Sequence, residues 1–166
     1  MILKNKNQEE IRNIYASSKK EFISLQSNDE AIQNKDMDNY LFYIDGIKEA
    51  VGYITVYTKS DFITKEEFDV NIDVKEGSVY IWEIGTLKGF EGRGIASSLV
   101  KHVLEQYPDV DIYSVVDEIN IGSVKIHEKF GFKVVASFIG HFFSDEDEKY
   151  LVYIVIYPTA SLPSSK

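Results

Sequence analysis

Apolar residues follow two rhythms along the chain. From Gly94 to Tyr107 they recur every four positions, at Ile95, Leu99, Val103 and Tyr107, and Ala96, Val100 and Leu104 widen the stripe. That spacing predicts an amphipathic helix, which Pro108 ends. Residues 8–25 carry a similar stripe through Ile11, Ile14, Tyr15, Phe22 and Leu25, and residues 26–39 are polar, with room for a second short helix. Elsewhere β-branched and aromatic residues cluster in short runs. Tyr40–Ile44 and Ala50–Thr58 flank Asp45-Gly46, which reads as a hairpin. Ser78–Leu87 and Val110–Val116 predict strands on either side of the Gly94–Tyr107 helix. Asn120 opens a further helix that Gly131 closes, and Phe132–Phe143 and Tyr150–Tyr157 predict two last strands. Residues 59–77 read as a long acidic loop, and Trp82 and the tyrosines as sheet and core residues.

The order is helices, hairpin, strand–helix–strand–helix, then a pair of strands. A strand–helix–strand unit implies parallel pairing and the hairpins imply antiparallel pairing, so the sheet is expected to be mixed. No linker or repeat interrupts it, which predicts one domain over residues 1–158 and a short tail over 159–166. The chain of 166 residues contains 18 Lys and Arg against 27 Asp and Glu, a formal net charge of −9. Nucleic acid is therefore not an expected partner, whereas a cationic one is compatible. Cysteine is absent, which removes thiolate nucleophiles and Cys-ligated zinc; no metal is expected. The first residues lack a signal-like apolar stretch, and no run approaches the roughly 18 apolar residues of a membrane span. A cytoplasmic protein without a membrane partner is expected, as a monomer or a homodimer.

The chemistry is concentrated in Trp82-Glu-Ile-Gly-Thr-Leu-Lys-Gly-Phe-Glu-Gly-Arg-Gly-Ile-Ala-Ser97. A strand delivers the chain to Gly92-Arg93-Gly94, and a helix opens at once. Glycines let the backbone approach a ligand, and the N–H groups of a helix N-terminus favour an anion such as a pyrophosphate. Gly89 and Gly94 have the spacing of a P-loop, but Ile95 stands where Lys is required. Gly92 and Gly94 also begin a dinucleotide fingerprint, with Ser97 at its third glycine and Asp111 near the ribose-binding acid. That second pattern leaves a nucleotide-binding regulator as a rival.

A third reading covers more of the chain. Glu91-Gly92-Arg93-Gly94-Ile95-Ala96 resembles the Gln/Arg-x-x-Gly-x-Gly/Ala motif of the GNAT N-acetyltransferase superfamily, with Glu91 at the Gln/Arg position. Asn120-Ile-Gly-Ser-Val-Lys-Ile-His-Glu-Lys-Phe-Gly-Phe132 is similar to that family's second signature, with His127 where Tyr is usual. The resemblance implies the acyl-CoA N-acyltransferase fold: an α+β arrangement with a mixed, mostly antiparallel sheet, a central parallel strand pair and flanking helices. It implies acetyl-CoA as cofactor. Backbone groups of Ile84, Gly85 and Thr86 would hold the pantetheine arm, and those of Gly92, Arg93, Gly94, Ile95, Ala96 and Ser97 the pyrophosphate. Asn120 would contact the cofactor arm or a catalytic water.

The resemblance implies acetyl transfer to a primary amine by direct attack on the thioester. An amine is mostly protonated at neutral pH, so a base must take its proton. Glu83, on the strand before the glycine turn, is the expected base, and His127 the expected acid for the departing thiolate. A GNAT-fold module that binds acyl-CoA without transfer is the alternative, motivated by Glu91 and His127.

Overall fold

The computed structural model describes residues 1–5, 7–17, 35–61, 70–141 and 146–156. Among the described residues seven strands form one sheet: β1 (Ile2–Lys4), β2 (Met37–Phe42), β3 (Gly52–Tyr57), β4 (Val79–Thr86), β5 (Asp111–Asp117), β6 (Lys133–Gly140) and β7 (Glu148–Ile156). Their spatial order is β1-β2-β3-β4-β5-β7-β6. Only β4 and β5 are parallel; every other neighbouring pair is antiparallel. Among the described residues the helices are α1 (Gln8–Ser17), α2 (Ile95–Gln106) and α3 (Ile121–Lys129). The mixed sheet with its central parallel pair is the one the sequence predicts.

The two faces of the sheet are covered differently. Ile95, Leu99, Val100, Val103 and Leu104 of α2 are buried against Ile54, Val56, Val79, Ile81 and Ile112, with Val124 and Ile126 of α3 packed beside them. Each fully buried aliphatic side chain there stabilises the fold by roughly 1.5–3 kcal/mol. On the opposite face Ile11 and Ile14 of α1 pack on Leu41, Ala50 and Tyr53. Further along that face lie Tyr80, Tyr113, Phe138 and Tyr150. Glu10 fixes α1: its carboxylate accepts from the Ala50 N–H at 3.1 Å and from the Tyr43 hydroxyl at 2.7 Å. At the other end of α1 the Ser17 hydroxyl oxygen accepts from the Lys88 N–H at 3.0 Å, joining the helix to the start of the glycine turn.

Three features differ from the sequence expectation. Residues 37–39 are strand, not helix. Asn39 is buried, and the Thr55 hydroxyl donates to its Oδ1 at 2.6 Å, so a neighbouring strand pairs the carbonyl oxygen of a side chain that looks like loop composition. β1 pairs with β2 through only three residues, too few for a periodicity. Trp82 is 37 % exposed, for a reason that lies in β4. Thr55 opposes Glu83 while Val56 opposes Ile81, so Trp82 is the extra residue of a β-bulge. Phe22 and Leu25, the second short helix as far as residue 34, the large apolar positions of the 62–69 loop, and the tail over 159–166 lie outside the described residues.

Candidate active site

The bulge opens a fork. β4 and β5 pair only at Val79↔Ile112, Tyr80↔Tyr113 and Ile81↔Ser114, yet β4 continues to Thr86 and β5 to Asp117. The exposed backbone in the fork follows from register. The Thr58 N–H donates to the Asp36 carbonyl and the Leu87 N–H to the Val51 carbonyl, each at 2.8 Å. Even-numbered residues of β3 therefore turn to β2 and odd-numbered ones to β4. Glu83 and Gly85 bond toward β3, and Ile84 and Thr86 present their N–H and C=O groups to the fork, where an extended arm can add as a strand. Gly85, expected beside them, serves by having no side chain: a Cβ there would come within 2.3 Å of the Tyr53 ring.

Tyr53 matters because its hydroxyl donates to Glu83 Oε1. Glu83 is 4 % exposed, on the α1 face of the sheet one residue past the bulge. Tyr15 of α1 feels its charge: burial first, and then the Glu83 carboxylate, push the Tyr15 hydroxyl pKa up. Sequence reasoning found Glu83 but not Tyr53, whose tie to it needs the hairpin register.

The turn after β4 ends in Gly94, the N-cap of α2, which has φ 78° and no side-chain cap. The first turn of α2 has no acidic residue, so the N–H groups of Ile95, Ala96 and Ser97 have no carboxylate of their own helix to bind. The Arg93 guanidinium lies over the Phe90 ring at 4.8 Å and donates to the Gly89 carbonyl at 3.4 Å. Glu91, at the position where the family has Gln or Arg, folds back on its own turn and accepts from the Gly89 N–H at 2.6 Å. Backbone donors hold its carboxyl below the usual range, so it stays ionised but directed into the turn. The turn thus fits a pyrophosphate at the α2 N-terminus.

Asn120 caps α3, its Oδ1 accepting from the Ser123 N–H at 3.2 Å. His127 is 1 % exposed, between Phe132 and Tyr153. Its Nδ1 lies 2.7 Å from the Ser123 carbonyl, so that nitrogen carries the proton; its Nε2, 2.8 Å from Ser114 Oγ, accepts from the hydroxyl. Burial pushes its pKa down. Ser114, which sequence reasoning missed, sits at the root of the fork, where the last β4–β5 pair is made.

The shift has a measurable sign. A folded-state pKa below the unfolded value of about 6.5 means that only the unfolded chain takes up the proton at mildly acidic pH. The contribution is full above that value and is lost as pH falls through the folded pKa. His127→Asn is expected to destabilise most at pH 7, with the gap to wild type narrowing toward pH 5 in urea unfolding. A gap independent of pH would contradict the neutral, buried imidazole.

Comparison with known proteins agrees with this geometry. Residues 8–132, well over half of the chain, match the Acetyltransferase (GNAT) family. No curated protein matches the chain in sequence. Solved structures of similar fold include Arabidopsis thaliana NAA60 in complex with acetyl-CoA (17 % identity, TM-score 0.69, covering 94 % of this chain and 99 % of that one). They also include the ribosomal-protein-S18-alanine N-acetyltransferase of Escherichia coli (13 %, 0.70, 100 % and 97 %) and smu.2055 of Streptococcus mutans UA159 (18 %, 0.72, 94 % and 98 %). The fork, the uncapped α2 N-terminus and the family match define an acetyl-CoA-dependent acyltransferase. The chain belongs to the GNAT acetyltransferase family.

Proposed function

We propose that the protein transfers the acetyl group of acetyl-CoA to a primary amine by direct attack, both substrates being bound together. The observation that carries this reading is the fork itself, with a buried carboxylate on one wall and an anion-ready helix N-terminus beyond it. Ile84 and Thr86 would align the arm, the turn from Gly92 to Ser97 would hold the pyrophosphate, and Asn120 would border the arm at the end of β5. Acetyl-CoA supplies an activated acyl group on a good leaving group. Glu83 would accept, directly or through water, the proton the amine loses as its nitrogen bonds the acyl carbon and the C–S bond breaks. Tyr53 would hold that carboxylate in place.

His127 takes a different role from the acid the sequence suggests. As a neutral imidazole with its one N–H on a carbonyl, it has no proton to spare. A thiol is more acidic than an alkylammonium (about 8.5 for a cysteine against about 10.4 for a lysine), so the leaving group departs readily as the thiolate. We read His127 as a positioning residue that fixes Ser114 at the root of the fork. The sheet, running from residue 2 to residue 156, supports one domain over 1–158. No helix of the described residues is long and apolar enough to cross a membrane.

Thermal unfolding with acetyl-CoA, CoA, NAD or ATP near millimolar concentration tests the reading. Ligands that bind only the folded state raise its midpoint by mass action. A rise selective for acetyl-CoA and CoA, followed by CoA release with amines, is expected. A rise with NAD alone would return the glycine turn to a nucleotide regulator.

A further inference from the structure

The fork has a second acidic wall. Asp117 ends β5, three residues past the last β4–β5 pair. Val116 belongs to the core under α2 and α3, so Asp117, next along the pleat, faces the α1 side, the side of Glu83 and Tyr53. Its register partner Tyr150 is buried on that side, and the Tyr150 hydroxyl donates to Glu148 Oε2 at 2.7 Å. Asp117 is 4 % exposed. The Ile119 N–H donates to its Oδ1 at 3.1 Å, but Oδ2, buried from solvent, meets no hydrogen-bond donor among the described residues. The neighbouring charged groups are carboxylates, Glu148 and then Glu118, and Lys149 is engaged with Glu118 at 3.0 Å. Burial first, and then the Glu148 carboxyl by its charge and by a hydrogen bond and Glu118 by its charge, raise the Asp117 carboxyl above its usual range, against the Ile119 N–H, which lowers it. A buried carboxylate beside another is stable only with a proton or a cation between them.

We propose that Asp117 and Glu148 form a subsite for a second positive charge on the acceptor, so that the substrate is a diamine or longer polyamine. Its far ammonium would sit at Asp117 and its reacting amine at Glu83. The proposal rests on the transferase reading above and adds the acceptor class to it. Trp82, the first β4 residue beyond the pairing, stands edge-on to Tyr80 at 6.0 Å and offers an exposed aromatic surface for a cationic chain. The net charge of −9 favours the approach of a dication.

Two probes that differ by one ammonium, 1,5-diaminopentane and 1-aminopentane, test the subsite by calorimetry on the CoA-loaded protein. The diamine is expected to bind at least about tenfold more tightly, as one partly desolvated ion pair allows. Asp117→Asn should erase that preference and leave acetyl-CoA affinity unchanged, and Asp117→Glu should restore part of it. Folding is a separate readout. A raised carboxyl pKa gives stability that is present below the unfolded value near 3.9 and lost as pH rises through the folded one. Asp117→Asn is therefore expected to melt no lower than wild type at neutral pH. Equal binding of the two amines, or a diamine preference that survives Asp117→Asn, would overturn the subsite while acetyl-CoA binding leaves the transferase reading standing. Absence of acetyl-CoA binding in the wild type would overturn both.

Discussion

Gly94→Asp is expected to weaken acetyl-CoA binding by at least about a hundredfold while the protein stays folded. A hundredfold is about 2.7 kcal/mol. Two like charges about 4 Å apart near a protein surface repel by about 4 kcal/mol, so a carboxylate beside the pyrophosphate suffices. The fold is less affected. Among the described residues, chain neighbours aside, no atom lies within 4 Å of where a Cβ would stand, so a Cβ there meets open space. The left-handed conformation, φ 78°, costs a side chain about 1–2 kcal/mol, and less for Asp, which visits it more readily. A carboxylate at the uncapped N-terminus of α2 returns part of that by accepting from the free N–H groups. Those are the groups the pyrophosphate needs, so what helps the helix harms the site. Gly94→Ala separates the two effects: it carries the conformational strain without the charge and is expected to bind acetyl-CoA several-fold to tenfold more weakly. Calorimetry on both variants checks this, and wild-type affinity in Gly94→Asp would move the pyrophosphate elsewhere.

The part of the fold that the sequence discloses is the part whose elements carry their own period. Ile95, Leu99 and Val103 recur every four residues, and all three are buried on α2. The strands on either side of α2 read as strands from composition alone. α3 is less periodic: what marks it in the sequence is its punctuation, Asn120 at its start and Gly131 at its end. The bulge left a trace that admits more than one reading. On β4 the aliphatic residues Val79, Ile81 and Ile84 include a step of three where the pleat gives two, and Glu83 lands on the α1 face because of it. What fixes the environment of each site residue is register between distant segments. Tyr53 reaches Glu83 across thirty residues of chain. Ser114 and His127 meet through the packing of α3 on β5. A histidine at position 127 suggests proton transfer by residue type, and the burial that speaks against this role comes from Phe132 and Tyr153, which no local pattern ties to it.

Glu83→Gln is expected to lower kcat by about a hundredfold or more, within the range of a lost general base, and to leave acetyl-CoA affinity within about twofold. The substitution keeps shape and burial, and the Tyr53 hydroxyl can still donate to the remaining side-chain oxygen. What disappears is the capacity to take a proton. An alkylamine with a pKa near that of lysine, about 10.4, is largely ammonium at neutral pH, so the variant depends on the small fraction that arrives uncharged. Its rate should climb about tenfold per pH unit through the neutral and mildly alkaline range, and the deficit against wild type should shrink as it does. Tyr53→Phe provides the second arm. It leaves Glu83 ionisable but removes a donor from a buried carboxylate, which makes that group a stronger and less well placed base. A smaller loss of kcat than in Glu83→Gln, with a pH–rate profile moved to higher pH, is the expected signature. An unchanged pH–rate profile in Glu83→Gln would transfer the base to the other wall of the fork. Asp117→Asn would then lose turnover rather than acceptor affinity, so the same variants, read for kcat against binding, assign proton transfer and charge recognition to opposite sides of the opening between β4 and β5.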